Sequence, residues 1–378
     1  MGAMGQIRIA VVGVGNCASS LLQGVAYYGE KSSGGALGGL MADVVGGYRV
    51  GDILPVVGFD VDARKVGRGI SEAVFALPNC TKVFCDRLPE SWGGVPVVRG
   101  PVMDGVAGHV QEWPEGERVV VGAGEELDLA GVVRVLRDRG AEVLVNYLPV
   151  GSQRATEFYA EACLHAGVAL VNCIPVLIAS DAGWAGRFAA AGLPVVGDDI
   201  KAQLGATIAH RTLARLFERR GVRITGTYQL NTGGNTDFLN MLDRDRLGTK
   251  KRSKTEAVQS QLDQRLADGQ IHVGPSDYVP FLKDNKVCFL RIEGEGFGGV
   301  PMHMEVRLSV EDSPNSAGCV VDAVRAAKVA LDRREGGAVE AASAWLMKHP
   351  PRQMADEEAE RAFGEWGGRG GNSDRETV

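Results

Sequence analysis

The chain has 378 residues, of which 45% are hydrophobic and 23% charged, and its formal net charge is −6. That length accommodates two domains with a sizeable core, and the acidic balance argues against nucleic acid or an anionic membrane as the main partner. No apolar run reaches the ~18 residues of a membrane-spanning helix, and the N-terminus enters a strand with no cleavable signal, so a cytoplasmic protein is expected. Seven cysteines are scattered through mostly apolar segments without a Cys-x-x-Cys pair, which is the usage of a reducing compartment.

Taken in chain order, residues 7–12 are predicted as a buried strand, 13–15 as a tight turn and 17–28 as a helix. A glycine-rich insertion fills 29–51, and a second strand over 52–59 ends at Asp60. Proline and glycine punctuate 79–117, where no pattern prevails. Helices follow over 127–139 and 155–166, and strands over 142–148, 169–172 and 194–197. Strands alternating with helices at this spacing imply a parallel α/β sheet. After a helix over 204–220 the pattern changes to strand-like runs at 223–231, 287–293 and 302–310, the last two suggesting an antiparallel sheet with one open face. Asp312-Ser313-Pro314 signals entry to a helix over 317–331, and a shorter helix covers 341–347. The expected fold class is α/β: a nucleotide-binding domain with a parallel sheet, bounded near residue 200 and interrupted or followed by an α+β domain, with a tail at 361–378 expected to be disordered.

The first turn carries a dinucleotide fingerprint, Gly13-Val14-Gly15-Asn16-Cys17-Ala18. Gly13 makes the turn, Gly15 admits the pyrophosphate to the backbone, and Ala18 lets the helix pack on the sheet. Asp60, at the end of the second strand, is the expected ribose ligand and favours NAD over NADP, although it lies well beyond the usual ~20 residues from the glycines. The insertion explains that delay, and a helix cap is the alternative reading of Asp60.

A second constellation is cationic. Asn231-Thr-Gly-Gly-Asn-Thr-Asp237 follows a strand and precedes Lys250 and Lys254, which would share one helix face at i and i+4. Two aligned ammonium groups repel unless an anion lies between them, and a phosphorylated substrate is the natural candidate. Gly197-Asp198-Asp199-Ile200-Lys201 ends a strand where α/β sheets place their sites. Lys286 lies near Asp284, Asp312 opens a helix, and Lys348 follows one. Taken singly, each has a structural explanation: Asp198 and Asp199 as turn residues, Asp312 as a cap, Lys348 as a partner of a helix C-terminus.

These motifs, with Tyr147-Leu-Pro-Val-Gly-Ser152, His272-Val-Gly-Pro-Ser-Asp277 and Asp312-Ser-Pro-Asn-Ser316, resemble the myo-inositol-1-phosphate synthase family, most closely its shorter actinobacterial branch. The resemblance implies a Rossmann NAD-binding domain at 1–200, a central α+β catalytic and oligomerisation domain at 201–311, and C-terminal helices at 312–360 that return to the Rossmann domain. It also implies an NAD-dependent cyclisation of D-glucose 6-phosphate to 1L-myo-inositol 1-phosphate in a homotetramer. C5 is oxidised, an enol forms, C6 attacks the C1 aldehyde, and the hydride returns. It further implies Lys250 and Lys286 at the C5 oxygen, Lys254 and Lys348 at the phosphate or O1, and Asp199, Asp237 and Asp312 orienting lysines or relaying protons. Tyr147, Leu148, Pro149, Asp198 and Ser313 join the glycine turn as cofactor contacts, and Gly205-Ala206-Thr207 would cradle phosphate. A divalent or monovalent cation is left open, as is a lysine Schiff base.

Several positions depart from the family pattern. Asn285 and Val287 stand where an Arg and an aromatic are usual, Thr232 and Thr236 flank the Gly-Gly turn, Ala202 replaces a Ser, and Ala107-Gly108-His109-Val110 replaces a Lys-Tyr-Tyr run. Two rival readings follow: closure of a five-membered cyclitol phosphate from D-fructose 6-phosphate, and an NAD-binding protein without catalysis.

Overall fold

The computed structural model describes residues 5–31, 38–243, 255–262 and 264–368. Seven strands form one sheet: β1 (Ile7–Val12), β2 (Ile53–Asp60), β3 (Val97–Arg99), β4 (Val143–Asn146), β5 (Ala169–Asn172), β6 (Pro194–Val196) and, after a long excursion, β11 (Gly337–Ala338). Their order is β11-β6-β5-β4-β1-β2-β3 and every pairing is parallel. This is the doubly wound dinucleotide-binding arrangement with one strand added at the β6 edge.

Burial explains the near-continuous apolar strands, because helices cover both faces. Successive residues of β1 serve opposite layers. Ile7, Ile9 and Val11 pack with the helices Asn16–Lys31 and Asp312–Asp332, whereas Ala10 and Val12 face the side of Leu129–Asp138 and Gln153–Ala166. The helix Asp312–Asp332 therefore returns the C-terminal part of the chain to the first sheet. It begins at Asp312 itself, with Ser313 and Pro314 inside its first turn, where a proline's missing N–H costs nothing.

The second sheet has the order β10-β9-β7-β8, built from β7 (Arg223–Gly233), β8 (Ile271–Tyr278), β9 (Asn285–Glu295) and β10 (Pro301–Glu311). β9 pairs antiparallel with β7 and β10, but β8 runs parallel to β7, so the sheet is mixed. β8 escapes sequence reading because Gly274-Pro275 interrupts it. Proline is tolerated there because β8 is an edge strand with a register shift opposite Asn231 and Thr232. The helix Ala206–Arg219 covers one face through Ala214, Phe217, Ile224, Leu290 and Ile292. At the C-terminus, the helix Asp356–Gly367 extends into the segment expected to be a disordered tail, held by buried Ala359 and Phe363.

Where the sheets meet, two distant segments cross. Asp198 N–H donates to the His349 carbonyl at 3.0 Å and His349 N–H returns a bond to Asp198, while Lys348 N–H donates to the Asp199 carbonyl at 2.7 Å. The fully buried Asp198 carboxylate accepts from the backbone N–H groups of Ile178, Ala179 and Ser180, from Ser180 Oγ at 2.7 Å and from Asn172 Nδ2 at 2.7 Å. Replacing Asp198 by Ala strands these donors in the interior. Urea denaturation is expected to show a loss of at least about 3 kcal/mol, since each buried unsatisfied group costs roughly 1–3 kcal/mol. A variant as stable as the parent would show that water replaces the carboxylate.

Candidate active site

One cavity runs from the end of β1 to the second sheet. At its first end the chain turns sharply at Gly13, whose φ is +84°, and a Cβ there would lie 2.6 Å from the Tyr147 carbonyl oxygen. Only glycine satisfies both conditions. A Cβ on Gly15 would meet nothing within 4 Å, because that position borders the cavity. The turn is gripped from outside. Gly13 N–H donates to the Phe59 carbonyl at 2.9 Å, Val14 N–H donates to Asp60 Oδ2 at 2.7 Å, and the Val14 carbonyl accepts from Lys65 Nζ at 2.8 Å and Asn79 Nδ2 at 3.1 Å. Asp60 Oδ1 also accepts from the N–H groups of Val61 and Asp62.

The helix Asn16–Lys31 opens here with no acidic residue in its first turn, so its free N–H groups and positive dipole end are available to an anion. Asn16 Oδ1 accepts from Cys80 N–H and Thr81 N–H, pinning the 79–81 segment beside the turn. Burial, with Asp284 and Asp312 adding to it, pushes the Cys17 thiol up to about 12, so Cys17 stays protonated and serves as wall. Tyr147 borders the cavity with a buried hydroxyl that has no partner among the described residues. An unspent donor, an open glycine and a bare helix N-terminus fit a dinucleotide.

At the other end stand two ion pairs. Lys286 Nζ lies 3.0 Å from Asp312 Oδ1, and Lys348 Nζ lies 2.8 Å from Asp199 Oδ1. Burial works against the Lys286 ammonium, but the charge and hydrogen bond of Asp312, with Asp237 behind them, outweigh it and hold its pKa above the ordinary lysine value. Asp199 has a φ of +63°, a left-handed conformation that a non-glycine residue adopts only when its surroundings impose it. The backbone crossing with 348–349 imposes it here. Asp237, in the first turn of the helix Thr236–Asn240, borders the same space. So do Gly205, Ala206 and Thr207, which form the N-cap and first turn of Ala206–Arg219, again without an acidic residue. Ser313, like Asp312 beside it, faces the cavity from the start of the C-terminal helix.

The fold thus gathers Gly13, Gly15, Asn16, Cys17, Asp60, Tyr147, Leu148, Pro149, Asp199, Gly205, Ala206, Thr207, Asp237, Lys286, Asp312, Ser313 and Lys348 around one space. Ala18 is buried in the apolar layer, as its packing role requires, and Val14 contributes through its backbone. Asp198 is the correction: its carboxylate is spent on the 178–180 loop and Asn172, and it serves the scaffold rather than a cofactor. Lys250 and Lys254 lie outside the described residues. Among the described residues no cluster of His, Cys, Asp and Glu has the makings of a metal site, and no helix is long and apolar enough to cross a membrane.

Sequence reasoning missed three supports. Lys65 and Asn79 hold the glycine turn, and the Leu77-Pro78-Asn79 turn signal was the available clue to the second. Asp284 is a hub: its carboxylate accepts from Thr81 Oγ1 at 2.6 Å, Asn235 Nδ2 at 2.9 Å, Ser313 Oγ at 2.8 Å and Ser313 N–H at 3.2 Å. It joins the wall of the dinucleotide end, the Gly-Gly turn and the C-terminal helix. Burial raises its pKa to about 6 despite those donors.

Comparison with known proteins agrees with this geometry. The family model of myo-inositol-1-phosphate synthase matches residues 205–313. Inositol-3-phosphate synthase of Mycolicibacterium smegmatis is 53% identical over 359 residues, covering 94% of this chain and 96% of that protein. Among solved structures, Ari2 has a TM-score of 0.77 at 34% identity, with coverage of 96% of this chain and 98% of its own. A myo-inositol-1-phosphate synthase-related protein from Thermotoga maritima has a TM-score of 0.79 at 26% identity, with the same coverage of both chains. With a relative this similar along nearly its whole length, the chain belongs to the myo-inositol-1-phosphate synthase family.

Proposed function

We propose that this protein is an NAD-dependent cyclase that converts D-glucose 6-phosphate into 1L-myo-inositol 1-phosphate. The observation that carries the reading is one cavity in which the glycine turn and Asp60 meet two lysine–carboxylate pairs. The family supplies the reaction, and the cavity has the groups that the reaction needs.

Gly13, Gly15 and the N-terminus of Asn16–Lys31 would hold the pyrophosphate, Asp60 the adenosine ribose, and Tyr147 and Ser313 the nicotinamide end. Bound there, NAD would supply the hydride acceptor for C5 of the substrate and, after ring closure, the hydride donor, so that no net redox change results. The chain's own residues manage charge and protons. Lys286, kept charged by Asp312, faces the C5 oxygen and stabilises the charge that develops there during oxidation and enolisation. A C5 ketone acidifies the C6 protons, and C6 then attacks the C1 aldehyde. Lys348, oriented by Asp199, meets the negative charge at O1 or the phosphate. Fixed ammonium groups in a cavity poor in water stabilise such charge far better than solvent does. The first turn of Ala206–Arg219 holds the phosphate through free backbone N–H groups.

Nuclear magnetic resonance of the products formed with NAD from glucose 6-phosphate and, separately, fructose 6-phosphate tests the reading directly. An inositol phosphate from glucose 6-phosphate alone is expected. A five-membered cyclitol phosphate from fructose 6-phosphate would overturn the assignment of substrate while keeping the chemistry.

Two substitutions should separate cofactor from chemistry. Lys286→Met is expected to lower kcat by about 100-fold or more with NAD affinity unchanged. Asp60→Ala is expected to weaken NAD roughly 10- to 100-fold, since it removes a charged acceptor and loosens Val14. Equal NAD affinities in Asp60→Ala and the parent, read by fluorescence titration, would move the ribose contact elsewhere.

The second sheet suits the homotetramer that the family implies. Its outward face exposes Leu230 and Phe289, which are direct partners across β7 and β9, and the adjoining 297–302 segment exposes Phe297, Val300 and Met302. Phe289→Lys should therefore reduce the mass seen in sedimentation velocity. A tetramer undiminished by the lysine would place the interface on another face.

A further inference from the structure

Two consecutive peptides of the glycine turn are fixed by different side chains. Asp60 Oδ2 accepts from Val14 N–H at 2.7 Å and so fixes the peptide between Gly13 and Val14. In the next peptide, between Val14 and Gly15, the carbonyl oxygen accepts from Lys65 Nζ at 2.8 Å and from Asn79 Nδ2 at 3.1 Å. Lys65 Nζ also donates to Asn79 Oδ1 at 2.8 Å, and Asn79 Nδ2 reaches the Val74 carbonyl at 2.9 Å, so the two donors brace each other. Lys65 is buried, and its place behind the turn has no role in the reaction described above.

The Val14–Gly15 bond is trans, and a trans peptide points its C=O and N–H in opposite directions. With the Val14 oxygen turned to Lys65 and Asn79, the Gly15 N–H points away from them. It has no acceptor among the described residues, and Gly15 borders the cavity. The Gly15 carbonyl, by contrast, is oriented by the helix, where it accepts from Ser19 N–H at 2.9 Å. A peptide that precedes glycine flips readily, because glycine accepts the positive φ that the flip brings. The flipped form would aim the Val14 oxygen, an acceptor, where an anion is expected. Two donors on that oxygen oppose the flip, and they also polarise the peptide, which strengthens its N–H as a donor. An ammonium suits this position only with negative charge at hand. Burial lowers the Lys65 pKa, with Asp60 and Asp62 acting the other way, and an anion at the turn would add to their effect.

We propose that Lys65, braced by Asn79, is a positioning residue for the dinucleotide: by holding the Val14 carbonyl it aims the Gly15 N–H at a pyrophosphate oxygen. This rests on the reading of the turn as a dinucleotide site.

The test is equilibrium binding to the full-length protein, with NADH followed by its fluorescence and with ADP-ribose and adenosine followed by displacement of NADH. ADP-ribose carries the pyrophosphate, and adenosine lacks it. Lys65→Met should weaken NADH and ADP-ribose about tenfold or more, the size of one hydrogen bond to a charged group, with adenosine unchanged. Asn79→Ala removes the second donor and the brace, and should weaken the same two ligands about threefold while again sparing adenosine. Parent-like binding of ADP-ribose by Lys65→Met would overturn the proposal. Equal losses for ADP-ribose and adenosine would overturn it as well, since a general slackening of the turn does not distinguish them. Should Lys65→Met show no cooperative unfolding in urea, Asn79→Ala decides on the same two criteria. Failure of the parent itself to bind NADH would instead overturn the dinucleotide reading, and this proposal with it.

Discussion

Two lysine–carboxylate pairs stand in the cavity between the sheets, and much of the chain's path follows from bringing their members together. The Lys348–Asp199 pair joins positions 149 residues apart, and the Lys286–Asp312 pair joins positions 26 apart. Neither arises from local sequence. The first requires two chain segments to cross as an irregular pair of strands, at the expense of a left-handed Asp199. The second requires the last strand of the second sheet to hand over directly to a helix of the first, so that Asp312 stands opposite Lys286. Each aspartate thereby ties distant segments together, and Asp312 also holds the Lys286 pKa above the ordinary lysine value against the cost of burial.

That requirement also explains why the chain leaves the first sheet after β6 and comes back. The helix Asp312–Asp332 is buried along most of its length, and Arg325 anchors it to the carbonyls of Ala42, Asp43 and Tyr48 on the first domain. Its first turn meanwhile lies in the cavity. A helix fixed at one end in a rigid layer holds its other end to a fraction of an ångström, which suits a residue beside a reacting atom. Asp284 extends the same control. By binding Thr81, Asn235 and Ser313 at once, it sets three cavity walls relative to one another.

Most of the first sheet was legible in the sequence, because strands buried on both faces are apolar runs and their helices carry strong periodicity. The glycine turn and Asp60 at the end of its strand were legible by type and spacing, whereas the lysines read as a pair, Lys250 and Lys254, lie outside the described residues. What escaped did so for physical reasons. β8 is broken by Gly274-Pro275, and its partner β7 shifts register there, so no two-residue alternation survives. Asp198 looked like a ligand because an acid at a strand end is common to sites and to scaffolds; only its five donors tell the two apart. Lys65 and the Asp284 hub make long-range contacts between buried polar groups, which leave no periodic mark.

The departures from the family pattern divide along the same line. Asn285 bonds to Ser309 Oγ and the Val310 carbonyl, and Val287 is buried between neighbouring strands. Their side chains are spent on the sheet, so the loss of an Arg and an aromatic there bears on strand packing before it bears on substrate. Ala202, Thr236, Ala107 and Val110 instead border the cavity. His109 ties its segment to the helix Thr236–Asn240 through the Leu239 carbonyl at 2.9 Å, so 107–110 and Thr236 form one stretch of cavity wall. Ala202 brings no hydroxyl to the cavity wall, where Thr207, Gln229, Thr236 and Ser316 remain as neutral side-chain groups. An ammonium charge suits any oxyanion, so discrimination among hexose phosphates falls to the placement of neutral groups such as these.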